Sequence, residues 1–68
     1  MDEDNLNLSM RKFLKRVGIA SQRHIEELVR QAAADGRSFP GGRIPVQMTL
    51  RLEGFEEPLL VEGEIEVS

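Results

Sequence analysis

Glu62, Glu64 and Glu66 occupy every second position near the end of the chain, a spacing that lines carboxylates along one face of a β-strand. A carboxylate pair can divide general-acid and general-base work where its surroundings push the two proton affinities apart. Here the acids alternate with apolar Val61, Ile65 and Val67, so they are expected to face water. A catalytic hydroxyl or amine needs a base beside it, and no motif around Ser9, Ser21 or Ser38 would activate a hydroxyl. The chain has one histidine, His24, and no cysteine. That is too few ligands for the common zinc or non-haem iron sites, and a metal on His24 would need ligands from another subunit. The expectation is a protein that is not an enzyme and holds no cofactor or metal.

The sharper charged feature is basic. Arg11, Lys12, Lys15 and Arg16 follow an N-terminus that carries Asp2, Glu3 and Asp4. Such a face could grip an acidic protein, RNA or anionic lipid. Acids before a helix and bases in its later turns also suit the helix macrodipole, and a charged face keeps a small protein soluble. The charge is unevenly spread. Residues 11–30 carry Arg11, Lys12, Lys15, Arg16, Arg23 and Arg30 against Glu26 and Glu27, a net of +4. Residues 31–68 carry seven acids against Arg37, Arg43 and Arg51, a net of −4.

These groups must sit on elements, and the apolar period changes near Gly36. Before it, Leu6, Met10, Phe13, Leu14 and Val17 fall within a helix sector of roughly 100°, opposite the basic residues, with Leu8 on the wrong side. Residues 1–4 read as a frayed tail, with Asn5, Asn7 and Ser9 as candidate caps. Gly18 reads as the end of this first helix. Ser21 then caps a second, whose buried stripe is Ile25, Leu28, Val29 and Ala32, with Ala33 at its margin. Gly36 stops it.

The resulting unit looks superficially like a helix-turn-helix. Its second helix argues otherwise, because Glu26 with Arg30 and Arg23 with Glu27 can satisfy each other at i,i+4 spacing. Gln22 and Arg23 alone are left to read a groove near its start. The acidic second half also opposes binding to phosphate.

Residues 37–43 read as a loop whose Phe39 plugs one end of the core. From Ile44 onward the apolar residues alternate: Val46, Met48, Leu50 and Leu52, then Leu59, Val61, Ile65 and Val67. Those two runs predict a β-hairpin with Gly54-Phe55-Glu56-Glu57 as its turn, and Pro45 suits an edge strand. Gly63 falls on the inward face, which predicts a close neighbour there. On the outward face a four-residue turn would set Leu60 across from Arg51, with Glu62 and Glu64 alongside.

The run Asn7-Leu8-Ser9-Met10-Arg11-Lys12-Phe13-Leu14-Lys15-Arg16-Val17-Gly18-Ile19, then Ser21-Gln22 and Ile25-Glu26, resembles a family of short bacterial proteins known only as a domain of unknown function. The closing Val61-Glu62-Gly63-Glu64-Ile65-Glu66 is similar to that family's ending. The resemblance covers most of the chain outside residues 31–45 and implies no substrate, cofactor or catalytic residue. An acidic residue at position 24 would complete the capping box in that family's pattern, and His24 departs from it.

The expected fold is α+β, one small domain over residues 1–68. A helical hairpin over 5–36 packs on one face of a β-hairpin over 44–67. The expected core is Leu6, Met10, Phe13, Leu14, Val17, Ile25, Leu28, Val29, Ala32, Val46, Met48, Leu50, Val61, Ile65 and Phe39. A chain of 68 residues buries only about 60% of its unfolded surface, so it needs a staple. Without cysteine the staple is helix packing or self-association. An isolated two-stranded hairpin is marginal, and Leu60 beside an open edge is a place for a second strand to dock. Two copies paired there would make a four-stranded sheet, with Arg51 against Glu62 and Glu64 setting the register.

The function expected is an interaction module, an adaptor or regulator, whose partner is another protein or a second copy. Its candidate contact residues are Arg11, Lys12, Lys15, Arg16, Arg51, Leu60, Glu62 and Glu64. The alternative is nucleic-acid binding through the basic face. No apolar run is long enough to span a membrane, the start is acidic rather than basic as in a signal peptide, and the default location is cytoplasmic.

Overall fold

The computed structural model describes residues Met1–Ser68 and is α+β: one long helix, then a β-hairpin. The chain divides into two compact units, Met1–Arg37 and Ser38–Ser68.

The first unit departs from the two-helix expectation. Helix α1 runs Glu3–Ala34 without interruption for 32 residues, about 48 Å at 1.5 Å per residue. Gly18 and Ser21, expected to end one helix and cap the next, are both interior residues. An interior glycine costs about 0.5–1 kcal/mol relative to alanine. That does not break a helix whose hydrogen-bond ladder is already nucleated on both sides.

The helix also starts earlier than expected. Asp2, in extended conformation, is the N-cap, and its Oδ1 accepts the Asn5 backbone N–H at 3.1 Å. Glu3 and Asp4 fill the first turn, where the positive end of the helix dipole favours acids. Residues 2–4 are therefore the helix start rather than a frayed tail. Ser9, a candidate cap, instead donates from Oγ to the Leu6 carbonyl at 3.0 Å.

The end is where the sequence places it. Gly36 has φ +77°, its N–H reaches the Ala33 carbonyl at 3.1 Å, and the Arg37 N–H reaches that of Ala32 at 2.9 Å. Those two bonds are a Schellman cap, which requires the left-handed conformation that glycine adopts at no steric cost.

In the second unit a 3₁₀ turn at Pro40–Gly42 leads into strand β1, Arg43–Leu50, paired antiparallel with β2, Leu59–Glu66. The Val67 N–H donates to the Gly42 carbonyl at 2.8 Å, extending the ladder by one bond. The register sets Ile44 opposite Ile65, Val46 opposite Gly63, Met48 opposite Val61 and Leu50 opposite Leu59. One face is therefore apolar and the other carries Arg43, Pro45, Gln47 and Thr49 beside Leu60, Glu62, Glu64 and Glu66.

The connection between the strands is residues 51–58, longer than the four-residue turn expected. The next pair outward would be Arg51 with Pro58, and a proline has no N–H to donate to the ladder. Within the connection the Phe55 N–H closes on the Leu52 carbonyl at 3.1 Å, and Gly54 has φ +89°, as the third position of a type II turn requires.

No residue is buried in either unit. Of the expected core, Leu6, Met10, Phe13, Leu14, Leu28, Met48 and Val61 are exposed. Val17, Ile25, Val29, Ala32, Phe39, Val46, Leu50 and Ile65 are half-buried. Within a single helix an apolar stripe is shielded only by its flanking side chains, and a two-stranded sheet is one layer thick.

Candidate interaction surfaces

With α1 continuous, its apolar residues form one stripe instead of two. Leu6, Val17 and Leu28 recur at intervals of eleven residues, and so do Met10, Ser21 and Ala32, as well as Leu14 and Ile25. Eleven residues over three turns is 3.67 per turn, close to the natural helix period, so such a stripe runs nearly parallel to the helix axis. It continues in phase through Gly18. Leu6, Met10, Phe13, Leu14 and Leu28 are between 42% and 58% exposed. A stripe extending from Leu6 to Ala32 is about 39 Å long.

The basic face lies on the same helix. Arg11, Lys12, Lys15 and Arg16 are all exposed, within two turns, and none is engaged in a salt bridge. In the following turns Glu26 accepts a hydrogen bond from Gln22 Nε2 at 3.0 Å and forms a salt bridge with Arg30 at 3.6 Å. Of the two i,i+4 ion pairs expected there, Glu26–Arg30 forms and Arg23–Glu27 does not. His24 is exposed.

On the hairpin, Leu60 is 50% exposed and shares a face with Glu62 and Glu64, as the alternation predicts. Its cross-strand neighbour is Thr49, however, not Arg51. Arg51 lies in the connection beyond the ladder. Within the hairpin the cation beside these acids is Arg43, whose Nη1 lies 3.5 Å from Glu64 Oε2. Its signal was its place at the mouth of the strand, in phase with Pro45 and Gln47. Gly63 is not crowded, since a Cβ there would meet only Val46 Cγ1, at an ordinary 3.9 Å. Both strands of the two-stranded sheet keep an open edge.

Two depressions are both open to solvent. One follows the first turns of α1 along Asp2, Asn5, Leu6, Leu8, Ser9 and Lys12. The other lies over Val46 and Gly63, where the missing side chain leaves a dip. No group of three or more His, Cys, Asp or Glu side chains is placed to hold a metal ion. No helix is long and apolar enough to cross a membrane.

Over residues 1–68 the chain matches the model of a family described as a family of unknown function, DUF6494. No curated protein and no solved structure matches it.

Proposed function

The chain belongs to the DUF6494 family, a family of unknown function, and we propose that it acts as a non-enzymatic interaction module that docks a protein through the apolar stripe of α1. The observation that carries this reading is the 42–58% exposure of Leu6, Met10, Phe13, Leu14 and Leu28 along one face of a capped, continuous helix. A contiguous apolar surface rimmed by charge marks a site of protein contact, and a helix presenting i, i+3, i+4 and i+7 anchors is a recurrent mode of it. The open hairpin edge beside Leu60 is a second surface of the same kind.

The test is a pull-down from a lysate of the source organism at moderate salt, with and without nuclease, comparing the native chain with Leu14→Glu and Leu28→Glu. A protein retained after nuclease by the native chain and lost with the two variants supports docking on the stripe. The same proteins held equally by all three chains overturn it.

Nucleic-acid binding is the second reading, favoured by the four cations Arg11, Lys12, Lys15 and Arg16 that make no salt bridge. Material lost on nuclease treatment, and lost when Lys12, Lys15 and Arg16 are changed to Glu, supports it.

A further inference from the structure

The two edges of the hairpin are not equivalent, and we infer that the free edge of β2 takes up an extended segment of another protein, a strand in which basic residues alternate with apolar ones. Such docking rests on the reading of the chain as an interaction module, at the hairpin edge rather than along α1.

Backbone geometry selects the edge. The Val67 N–H donates to the Gly42 carbonyl, and those two residues continue the register that pairs Arg43 with Glu66. In an antiparallel ladder, bonded pairs alternate with non-bonded ones. Ile44, Val46, Met48 and Leu50 therefore aim their backbone groups at β2, and the residues between them aim theirs at the open side. One of those is Pro45, which has no N–H to offer. The free edge of β1 is blunted there, as proline blunts edge strands generally. On β2 the outward backbone groups belong to Leu60, Glu62, Glu64 and Glu66, each with a donor and an acceptor. No third strand pairs with that edge.

Side chains select the occupant. Leu60, Glu62, Glu64 and Glu66 share one face of the sheet, and an added strand sets its own side chains about 4.5–5.5 Å from theirs. Glu62 and Glu66 are exposed and make no salt bridge, while Glu64 is met from the β1 side by Arg43. Cations are what the row lacks. The unit Ser38–Ser68 carries six acids against Arg43 and Arg51, a net of −4. The other face of β2 is Leu59, Val61, Gly63 and Ile65, so the alternate residues of the added strand must be apolar. Gly63 leaves room among them. It has no positive φ, and a Cβ on it would meet only Val46 Cγ1, at 3.9 Å. Nothing within the hairpin calls for glycine there, and a large side chain on an adjoining strand can lie across it.

The same features turn away a second copy. Two hairpins joined β2 to β2 set Glu62, Glu64 and Glu66 against their own kind, and like charges directly opposite destabilise a sheet. Joining β2 of one copy to β1 of another meets the missing donor of Pro45.

The probe is the peptide Lys-Val-Lys-Phe-Lys-Val-Lys, blocked at both ends, labelled, and titrated against the native chain by anisotropy at low salt. Its lysines match the spacing of Leu60, Glu62, Glu64 and Glu66, and its phenylalanine falls opposite Gly63. Binding is expected, about tenfold tighter than that of a peptide of the same composition with its lysines in one block. A native chain that leaves the alternating peptide free, or holds the two equally, overturns the edge as the site. Methylated backbone amides separate strand pairing from charge attraction. Every second N–H of an added strand points at β2, so methylating one alternate set should weaken binding about tenfold or more and methylating the other should leave it within about threefold. Equal effects of the two sets, whether none or complete, overturn strand addition.

Variants confined to exposed positions test the charge. Glu62→Lys/Glu66→Lys should lose the lysine peptide and gain Glu-Val-Glu-Phe-Glu-Val-Glu. A folded variant that treats both peptides as the native chain does overturns the occupant. Leu14→Glu and Leu28→Glu should bind the lysine peptide like the native chain, so failure at the edge leaves docking on α1 standing. Loss of the peptide in those two variants would place it on α1 and overturn the edge.

Discussion

Val46 stands directly opposite Gly63 in the hairpin, and a methyl group on Gly63 would lie 3.9 Å from Val46 Cγ1, in ordinary van der Waals contact. Gly63 has no positive φ, so alanine suits its backbone. Gly63→Ala is expected to stabilise the hairpin by about 0.4–1 kcal/mol, chiefly by restricting the unfolded chain. Slower amide exchange across β1 and β2 is the measurement, and faster exchange would show a close neighbour that the hairpin itself does not contain.

Two other glycines should respond in opposite directions. Gly18 lies inside α1 with open space around it, while Gly36 has φ +77° and closes the Schellman cap. Gly18→Ala should raise helix stability by about 0.5–1 kcal/mol. Gly36→Ala should lower it by about 1 kcal/mol or more, because alanine is strained in the left-handed conformation. Thermal melts followed by circular dichroism decide the pair, and equal effects of the same sign would contradict the cap.

These glycines also show how much was legible in the sequence. Gly36 was readable as a stop because the apolar period changes beyond it. Gly18 reads as a stop because a glycine between Val17 and Ile19 looks like a cap, yet it lies inside α1. The correcting signal was present, since Leu6, Val17 and Leu28 keep their eleven-residue phase across it, and a turn would have broken that phase. The apolar and acidic faces of the hairpin followed from simple alternation. Its turn did not, because Leu52 prolongs the alternation past the point where Pro58 ends the ladder. Burial could not be read at all. An apolar stripe has the same periodicity whether the chain covers it or leaves it for another molecule.

Asp2 carries the N-cap, so its loss should be felt locally. Asp2→Ala leaves the Asn5 N–H without its side-chain acceptor and should cost about 1 kcal/mol of helix stability. Amide exchange at Asn5 and Leu6 should quicken while that near Ala32 holds. Asn7→Ala should leave both ends unchanged, since Asn7 is an interior residue of α1.

Arg43 and Glu64 test how much the hairpin owes to charge. Their side chains are 60% and 55% exposed at a separation of 3.5 Å, and solvent screens such a pair to between about 0 and 1 kcal/mol. A double-mutant cycle with Arg43→Ala and Glu64→Ala should give a coupling in the lower half of that range, shrinking further with added salt. A coupling that survives molar salt would mean the pair is shielded by something bound over that face.

The basic face offers the clearest separation of the two functional readings. A duplex held by all four cations Arg11, Lys12, Lys15 and Arg16 would release about four counterions, so its binding constant would fall with the logarithm of salt at a slope near −3.6. The carboxylates of β2, with Glu62, Glu64 and Glu66 exposed in a row, oppose any polyanion that reaches them. Anisotropy titrations of labelled duplex DNA and single-stranded RNA against the native chain should therefore show only weak association, at low salt, with a slope shallower than about −3.6. A slope near −3.6, abolished by Lys12→Glu/Lys15→Glu/Arg16→Glu with the helix intact by circular dichroism, would make the basic face the working site and nucleic acid its ligand.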